Sequence, residues 1–325
     1  MRFLVAGGCG FIGSNLVKRL LDEGHEVYVV DDLSKGSLEK LDEYVSHKNL
    51  KFFKIDVTGQ EIFEIPAKFD VVIDLVAYKI PRYSSGLKTL TVNTRGAENL
   101  LKIAVRDSAK FVMASTSDVY GKSTDFPYRE EGDLVLGPST SRRWAYAVSK
   151  IFNEHLTIAY HDEYGIKYVI LRFFGIYGPH QHLDWWGGPV GVFLKNIHEG
   201  LPLTIHGDGK QTRSFMYIDD LVECMVRAVN YPDAENEIIN VGSSEEISIL
   251  DLAKLIHRLS YPEKELRLEF VPYESFTQNY EDPKRRLGDF TKMKELLNFE
   301  PRYSLEAGLL KFIEWYKRRQ ELKVL

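Results

Sequence analysis

The sequence predicts an α/β fold: a doubly wound parallel sheet followed by a smaller C-terminal lobe. Three observations carry this. Short apolar runs such as "RFLVAG", "EVYVV" and "VVIDLV" recur at intervals suited to strands covered on both faces. Segments with helical apolar spacing separate them, which is the βαβ pattern of a parallel sheet. The first run ends in glycines and opens directly into a helix.

Taken in order, "RFLVAGG" reads as a buried strand, and Leu16, Leu20 and Leu21 in "SNLVKRLLDEG" fall on one face of a helix. "EVYVVDDL", "LKFFKIDV" and "FDVVIDLVA" continue the strands. "LKTLTVNTRGAENLLKIAVRDS" reads as a helix through Leu90, Ala97, Leu100, Leu101 and Ala104, and "KFVMASTSDVYG" as the strand after it. A further helix, "AYAVSKIFNEHLTIAYHDEYG", precedes the strand "KYVILRFFGIYG". Residues 1–174 thus form the main nucleotide-binding domain, and 175–325 a lobe from which some elements return to the main sheet. In that lobe "GPHQHLDWWGGP" reads as a loop. "VGVFLKNIHEG", "DDLVECMVRAVNYP", "SILDLAKLIHRLS" and "FTKMKELLNF" read as helices, with "EIINVGS" a short strand.

Gly7, Gly10 and Gly13 follow the first strand with G-x-x-G-x-x-G spacing. Glycine permits the tight turn and close backbone approach, and the helix N-terminus behind it stabilises a pyrophosphate. This context makes the sheet Rossmann-like, although the spacing differs by one residue from the usual fingerprint. No GK[ST] ending of a P-loop follows. Asp31 comes eighteen residues after Gly13, at the end of the second strand. A carboxylate there accepts both ribose hydroxyls and repels a 2′-phosphate, so NAD is expected rather than NADP. Asp32 sits beside it as a turn cap at the edge of the cofactor site. Asp56, followed by Val57, is placed at the adenine edge or as another turn cap.

Tyr146 and Lys150 are four residues apart and share a helix face. A phenol titrates near 10, too high for a base at neutral pH. A neighbouring ammonium and the positive ring of an oxidised nicotinamide favour its ionised form. Upstream, "STSDVYG" puts Ser115, Thr116, Ser117 and Asp118 at a strand exit, where a hydroxyl can bind an oxygen that alternates between alcohol and ketone. A cofactor-binding regulatory protein would need the glycines but not this second constellation.

With these motifs, "VNTRGAENLL", "LRFFGIYGP", "GDGKQTRSFMYIDDL" and "DFTKMKELLNFEPRYSLEAGL" in place, the chain resembles the extended short-chain dehydrogenase/reductase family, in its NAD-dependent nucleotide-sugar epimerase/dehydratase branch. The resemblance runs from Met1 to about Tyr316. It implies retained NAD, a nucleotide-sugar substrate and a homodimer formed through paired helices. By position it implies Tyr146 as acid/base, Lys150 as its electrostatic and cofactor-holding partner, and Thr116 as the substrate-side hydroxyl. Phe11, Ile12, Leu75, Ala77 and Lys79 then lie along the cofactor, and Asn93 is a structural or cofactor-side residue, or a helix cap. Arg213 and Arg286 correspond to diphosphate-binding arginines, whose donor fork suits phosphate oxygens; Lys284 and Arg285 are neighbouring choices.

The same branch implies three reactions that begin with oxidation at C4: 4-epimerisation, 4,6-dehydration and decarboxylation of a glucuronate. Dehydratases resemble "TDE" where this chain has Thr116-Ser117-Asp118, which disfavours dehydration. Decarboxylases resemble "TSE", so Asp118 is one methylene short. The sequence reading therefore favours a UDP-sugar 4-epimerase acting on UDP-glucose or UDP-glucuronate, with UDP-glucuronate decarboxylation or another dehydration as the alternative. Ser117 and Asp118 remain substrate-side candidates. Gly175 and His180 stand where family members often carry Asn and Arg, at a diphosphate or sugar contact. Arg142 and Arg143 offer a substitute grip for a carboxylate, or simply flank a packed Trp144. Trp185 and Trp186 wall a sugar or pack the lobes, and Val192 opens the helix near a uracil.

Composition bounds the partners. The chain has 325 residues, 44% hydrophobic and 27% charged, with a formal charge of -5, which argues against a general nucleic-acid surface. Its 2 cysteines and 9 histidines form no disulfide framework or metal-ligand pattern, so no metal is expected. No apolar stretch approaches a membrane span and no leader pattern opens the chain, so a cytoplasmic protein without membrane partners is expected.

Overall fold

A computed structural model describes residues 1–79, 85–275 and 282–324. The first half runs β1 (Arg2–Ala6), α1 (Phe11–Asp22), β2 (Glu26–Val30), β3 (Leu50–Phe53), β4 (Val71–Asp74), α2 (Gly86–Asp107), β5 (Lys110–Thr116), α3 (Ala145–Tyr164) and β6 (Tyr168–Phe173). The second half runs β7 (Gly175–Tyr177), α4 (Pro189–Glu199), β8 (Leu203–His206), β9 (Thr212–Tyr217), α5 (Ile218–Asn230), β10 (Glu237–Val241), β11 (Glu246–Ser248), α6 (Ile249–Ser260), β12 (Leu268–Val271), β13 (Arg285–Arg286), α7 (Thr291–Leu297) and α8 (Leu305–Val324).

Seven strands form one parallel sheet in the order β10-β6-β5-β4-β1-β2-β3. Alternation along β1 explains why the sequence shows a continuous apolar run. Phe3 and Val5 pack into a core shared with Leu16 and Leu20 of α1, whereas Leu4 and Ala6 enter a second core with Leu100 and Leu101 of α2. Strand order reverses between β1 and β4, and a crevice opens there at the carboxyl ends, where this class of sheet binds ligands.

β10, from the C-terminal half, closes the sheet beside β6. The remaining strands make a small sheet, β11-β9-β13 with β7 also on β9, and a separate β8–β12 pair. These lie over the crevice and supply its second wall. Among the described residues no helix is long and apolar enough to cross a membrane.

Candidate active site

The glycine turn is built for close approach. Gly7 has φ +79, a conformation that side chains rarely adopt. A Cβ on Gly13 would run into the Gly7 carbonyl and stand 2.7 Å from the Gly8 Cα. Helix α1 starts at Phe11 after Gly10 with no side-chain cap, so its first-turn amides remain available to an anion. Asp31 is buried; one carboxylate oxygen accepts from the Cys9 amide (3.0 Å) and the other from the Leu33 amide (2.9 Å). Burial pushes this carboxyl above its ordinary value, and the two amides oppose that. A Cβ on Gly36 would come within 2.7 Å of the same carboxylate, so glycine keeps the space in front of it open. Uncapped amides, a backbone cradle and a carboxylate with a cleared face are the donor set that a dinucleotide requires. NAD fits the residues present.

Gly7, Gly10, Phe11, Ile12, Gly13, Asp31 and Asp32 line one cleft of about 490 Å³ together with Asp56, Val57, Leu75, Ala77, Lys79, Thr116, Tyr146 and Lys150. Asp32 caps its own turn through the Ser34 amide (2.8 Å), and Asp56 does the same for Thr58 (2.9 Å). Asn93 is buried and does not line this cleft. It accepts from the Tyr78 amide (2.7 Å) and donates to Ser149 (2.9 Å), whose hydroxyl donates to the Tyr146 carbonyl (2.7 Å). It therefore ties the loop after β4 to α3, a structural role, and its place inside α2 rather than at an end rules out a helix cap.

A second cavity of about 280 Å³ adjoins this cleft. Thr116, Asp118, Tyr146, Lys79 and Arg286 line both. The Tyr146 phenol is held above its ordinary value, first by burial and then by the charge of Asp118; the Thr116 hydroxyl beside it favours the ionised form. Lys150 donates to the Val76 carbonyl (3.4 Å) and faces Asp74 and Glu154; burial lowers its titration point, which those carboxylates oppose. Burial and Asp118 thus outweigh the Thr116 hydroxyl and Arg286, which favour the ionised phenol in this arrangement.

Asp118 is the anchor of the substrate side. Its carboxylate meets Arg286 at 2.6 Å and Arg143 at 2.8 Å. Burial alone would raise it, but Arg143 and then Arg286 overcome this and hold it far below the usual carboxylate range. Asp282 extends the lattice, at 2.9 Å from Arg213 and 3.7 Å from Arg143. Spacing within the chain gave no sign of this partner. Ser117 and Gly175 also line the pocket. Gly175 is occupied territory: a Cβ there would meet the Ser214 carbonyl and press the Phe215 ring at 2.8 Å, so the family's Asn would displace β9.

Several expected contacts lie elsewhere. His180 is buried and spends its Nδ1 on the Ser14 hydroxyl (2.8 Å), with its ring against Trp315; burial lowers its titration point to about 3. It fastens α1 to the second lobe and lines neither cavity. Arg142 is exposed, whereas its neighbour Arg143 turns inward. Val192 is buried in the core side of α4. The two tryptophans divide. Trp185 stacks on His206 (4.2 Å) in the substrate pocket, and Trp186 walls the cofactor cleft. Of the neighbouring basic residues, Arg285 pairs outward with Glu246 (2.8 Å), which leaves Arg286 for the pocket.

Sequence reasoning missed the polar network behind the site. Glu154, one turn beyond Lys150, takes the Ser115 hydroxyl at 2.5 Å and the Arg172 guanidinium at 3.0 and 2.8 Å. The i+4 spacing from Lys150 was the available signal.

Comparison with known proteins follows this geometry. The chain is 34% identical over 320 residues to the UDP-N-acetyl-alpha-D-glucosaminuronate decarboxylase of Bacillus cytotoxicus, covering 97% of this chain and 98% of that one. It is 34% identical to UDP-glucuronic acid decarboxylase 1 of Arabidopsis thaliana, covering 98% and 70%. Among solved structures, UDP-glucose 4-epimerase from Thermotoga maritima with UDP-glucose superposes with a TM-score of 0.87 at 30% identity, covering 98% and 100%. UDP-glucuronic acid 4-epimerase from Bacillus cereus, in complex with UDP-glucuronic acid and NAD, gives 0.87 at 29%, covering 98% and 100%. The profile of the NAD dependent epimerase/dehydratase family matches residues 3–242. The chain therefore belongs to the NAD-dependent epimerase/dehydratase family and is an enzyme that uses NAD.

Proposed function

We propose that this enzyme decarboxylates a UDP-hexuronate, releasing carbon dioxide and a UDP-pentose. The observation that carries the reading is the charge of the substrate pocket. Among the described residues that line it, Lys79, Arg143, Arg213 and Arg286 are cationic and Asp118 and Asp282 anionic. That excess of cations suits a ligand bearing both a diphosphate and a sugar carboxylate. A relative of matching length named as a UDP-N-acetyl-alpha-D-glucosaminuronate decarboxylase, and a longer one named as a UDP-glucuronic acid decarboxylase, support it. It departs from the epimerisation favoured on sequence alone, and Asp118 anchors two guanidiniums in this pocket.

The pocket also weighs against dehydration. A dehydratase places an acid at this strand exit to release the C6 hydroxyl, and Asp118 there is held ionised by Arg143 and Arg286. Decarboxylation needs no base for its central step, because a C4 ketone accepts the electrons left by the departing carboxylate. Bound NAD supplies reversible oxidation at C4. Tyr146 takes the O4 proton with Thr116 beside it. Lys150 holds the cofactor side, and Arg213 and Arg286 clamp the diphosphate. Arg143 addresses the sugar carboxylate.

Epimerisation at C4 is the second reading, favoured by the likeness to a UDP-glucuronic acid 4-epimerase. Product NMR with UDP-glucuronate and UDP-N-acetylglucosaminuronate decides between them: a UDP-pentose with carbon dioxide is expected, and a C4-inverted hexuronate without gas overturns the proposal. Exposed Leu87 on α2, with Val148 and Phe152 on α3, supports the homodimer; sedimentation as a monomer would count against it.

A further inference from the structure

Resting on the decarboxylase reading, we infer that Lys79 is a catalytic residue, the acid that delivers a proton to C5 of the sugar after the carboxylate has left. The need for such a group follows from the chemistry. Breaking the C5–C6 bond of the 4-keto-hexuronate releases carbon dioxide and leaves its electron pair in an enolate over C5, C4 and O4. One proton must then reach C5 to give the 4-keto-pentose. Tyr146 holds the proton taken from O4 and returns it there when C4 is reduced again. A second donor is required.

The structure narrows the choice. Among the described residues that line both the cofactor cleft and the substrate pocket, those with an ionisable or hydroxyl group are Lys79, Thr116, Asp118, Tyr146 and Arg286. Asp118 is an ionised carboxylate between Arg286 at 2.6 Å and Arg143 at 2.8 Å, so it carries no proton to give. A guanidinium does not release its proton in this pH range, which removes Arg286. A threonine hydroxyl is too weak an acid, and Tyr146 is committed to O4. Lys150 lines the cofactor cleft alone and is turned to the Val76 carbonyl. Lys79 remains, placed at the junction by the loop that leaves β4. Its charge faces Asp118 at the end of β5, and Asp184 and His182 on the connector before α4. Burial lowers its titration point against the pull of the two aspartates, which makes the ammonium a better acid than one in water. After transfer, the neutral amine regains its proton from solvent.

The experiment compares the wild-type enzyme with Lys79→Met and Lys79→Arg, using UDP-glucuronate and UDP-N-acetylglucosaminuronate in heavy water. Arginine keeps the cation but cannot act as the acid. The wild type is expected to release carbon dioxide and to give a UDP-pentose with one deuteron at C5 on a single face. Lys79→Arg, which keeps the pocket's cation, is expected to keep single-turnover oxidation at C4 and carbon dioxide release within about threefold, and Lys79→Met, which removes it, is compared at saturating substrate. Their UDP-pentose formation should fall by roughly a hundredfold, with the 4-keto-sugar accumulating and deuterium entering both faces of C5. Wild-type UDP-pentose formation in Lys79→Arg, or single-faced deuteration at an unchanged rate in Lys79→Met, overturns the assignment while leaving the decarboxylase reading intact. Equal loss of C4 oxidation and product in both variants also overturns it, because the lysine would then serve only the cofactor. A wild-type enzyme that releases no carbon dioxide overturns the parent reading and this one with it.

Discussion

Arg172 grips Glu154 through two hydrogen bonds, 3.0 and 2.8 Å long, in a pair whose side chains are 4% and 5% exposed. The same Glu154 oxygen takes the Ser115 hydroxyl at 2.5 Å, and Arg172 also reaches the Tyr120 hydroxyl at 2.9 Å. β5, α3 and β6 are thereby locked one residue before Thr116 and one turn after Lys150. Removing one partner leaves the other charge buried and uncompensated. Glu154→Gln is therefore expected to cost about 3–5 kcal/mol, read as a shifted denaturant midpoint with an unchanged slope. Replacing both partners by apolar residues of similar volume should recover much of that loss. A single variant as stable as the wild type would remove the network from the account of the fold.

Tyr146→Phe keeps the ring that packs beside Thr116 and deletes the hydroxyl proposed to exchange a proton with the sugar. Turnover is expected to fall by about 10²–10⁴-fold. NAD content per protein, measured after release from the purified variant, should match the wild type, because the pyrophosphate and ribose are held by the glycine turn and Asp31. Undiminished turnover would remove Tyr146 from the chemistry.

How much of this was legible beforehand depends on whether a residue's partner was nearby in the chain. The seven-stranded sheet was readable because strands covered on both faces carry near-continuous apolar runs, and the glycine turn because it sits between β1 and α1. Tyr146, Lys150, Thr116 and Asp118 stood out by local spacing. The small sheet of β7, β9, β11 and β13 was not readable, since its 2- to 6-residue strands are defined only by pairing across the fold. The same limit explains His180, whose partner Ser14 is 166 residues away, and Asp118, whose neighbours Arg143 and Arg286 come from separate elements.

Trp186 links two cations across the cofactor cleft. The Lys35 ammonium lies 4.5 Å from its ring centroid, Tyr78 meets it edge-on at 5.4 Å, and Lys88 lies 4.6 Å from the Tyr78 ring. All four side chains line the cleft, so the contacts form a continuous clasp along its wall. Each such contact is worth about 0.5–2 kcal/mol. Trp186→Ala is expected to accelerate NAD release by roughly 5–30-fold while turnover at saturating NAD changes little. Stopped-flow displacement of bound cofactor measures this, and unchanged release would show that the clasp does not retain it.

Two carboxylates of the site, Asp31 buried and Asp118 half-buried, shift in opposite directions. Asp31 is raised by burial, so its proton returns above the ordinary aspartate value of about 3.9. Asp118 is depressed by Arg143 and Arg286, so its contribution to stability is fully present above that value and is lost only as pH falls through its lower folded one. Acidification should therefore weaken NAD binding first, in a window above pH ~4, because a protonated Asp31 no longer accepts from both ribose hydroxyls. The fold should persist through that window with the Asp118 lattice intact. Titrating NAD at a series of pH values, beside thermal unfolding at each, tests the order. Asp31→Asn should flatten the binding profile in this window, and Asp118→Asn should leave that profile unchanged while lowering stability near neutrality. Loss of cofactor and fold together, at one pH, would mean that the two carboxylates do not titrate in the order their surroundings dictate.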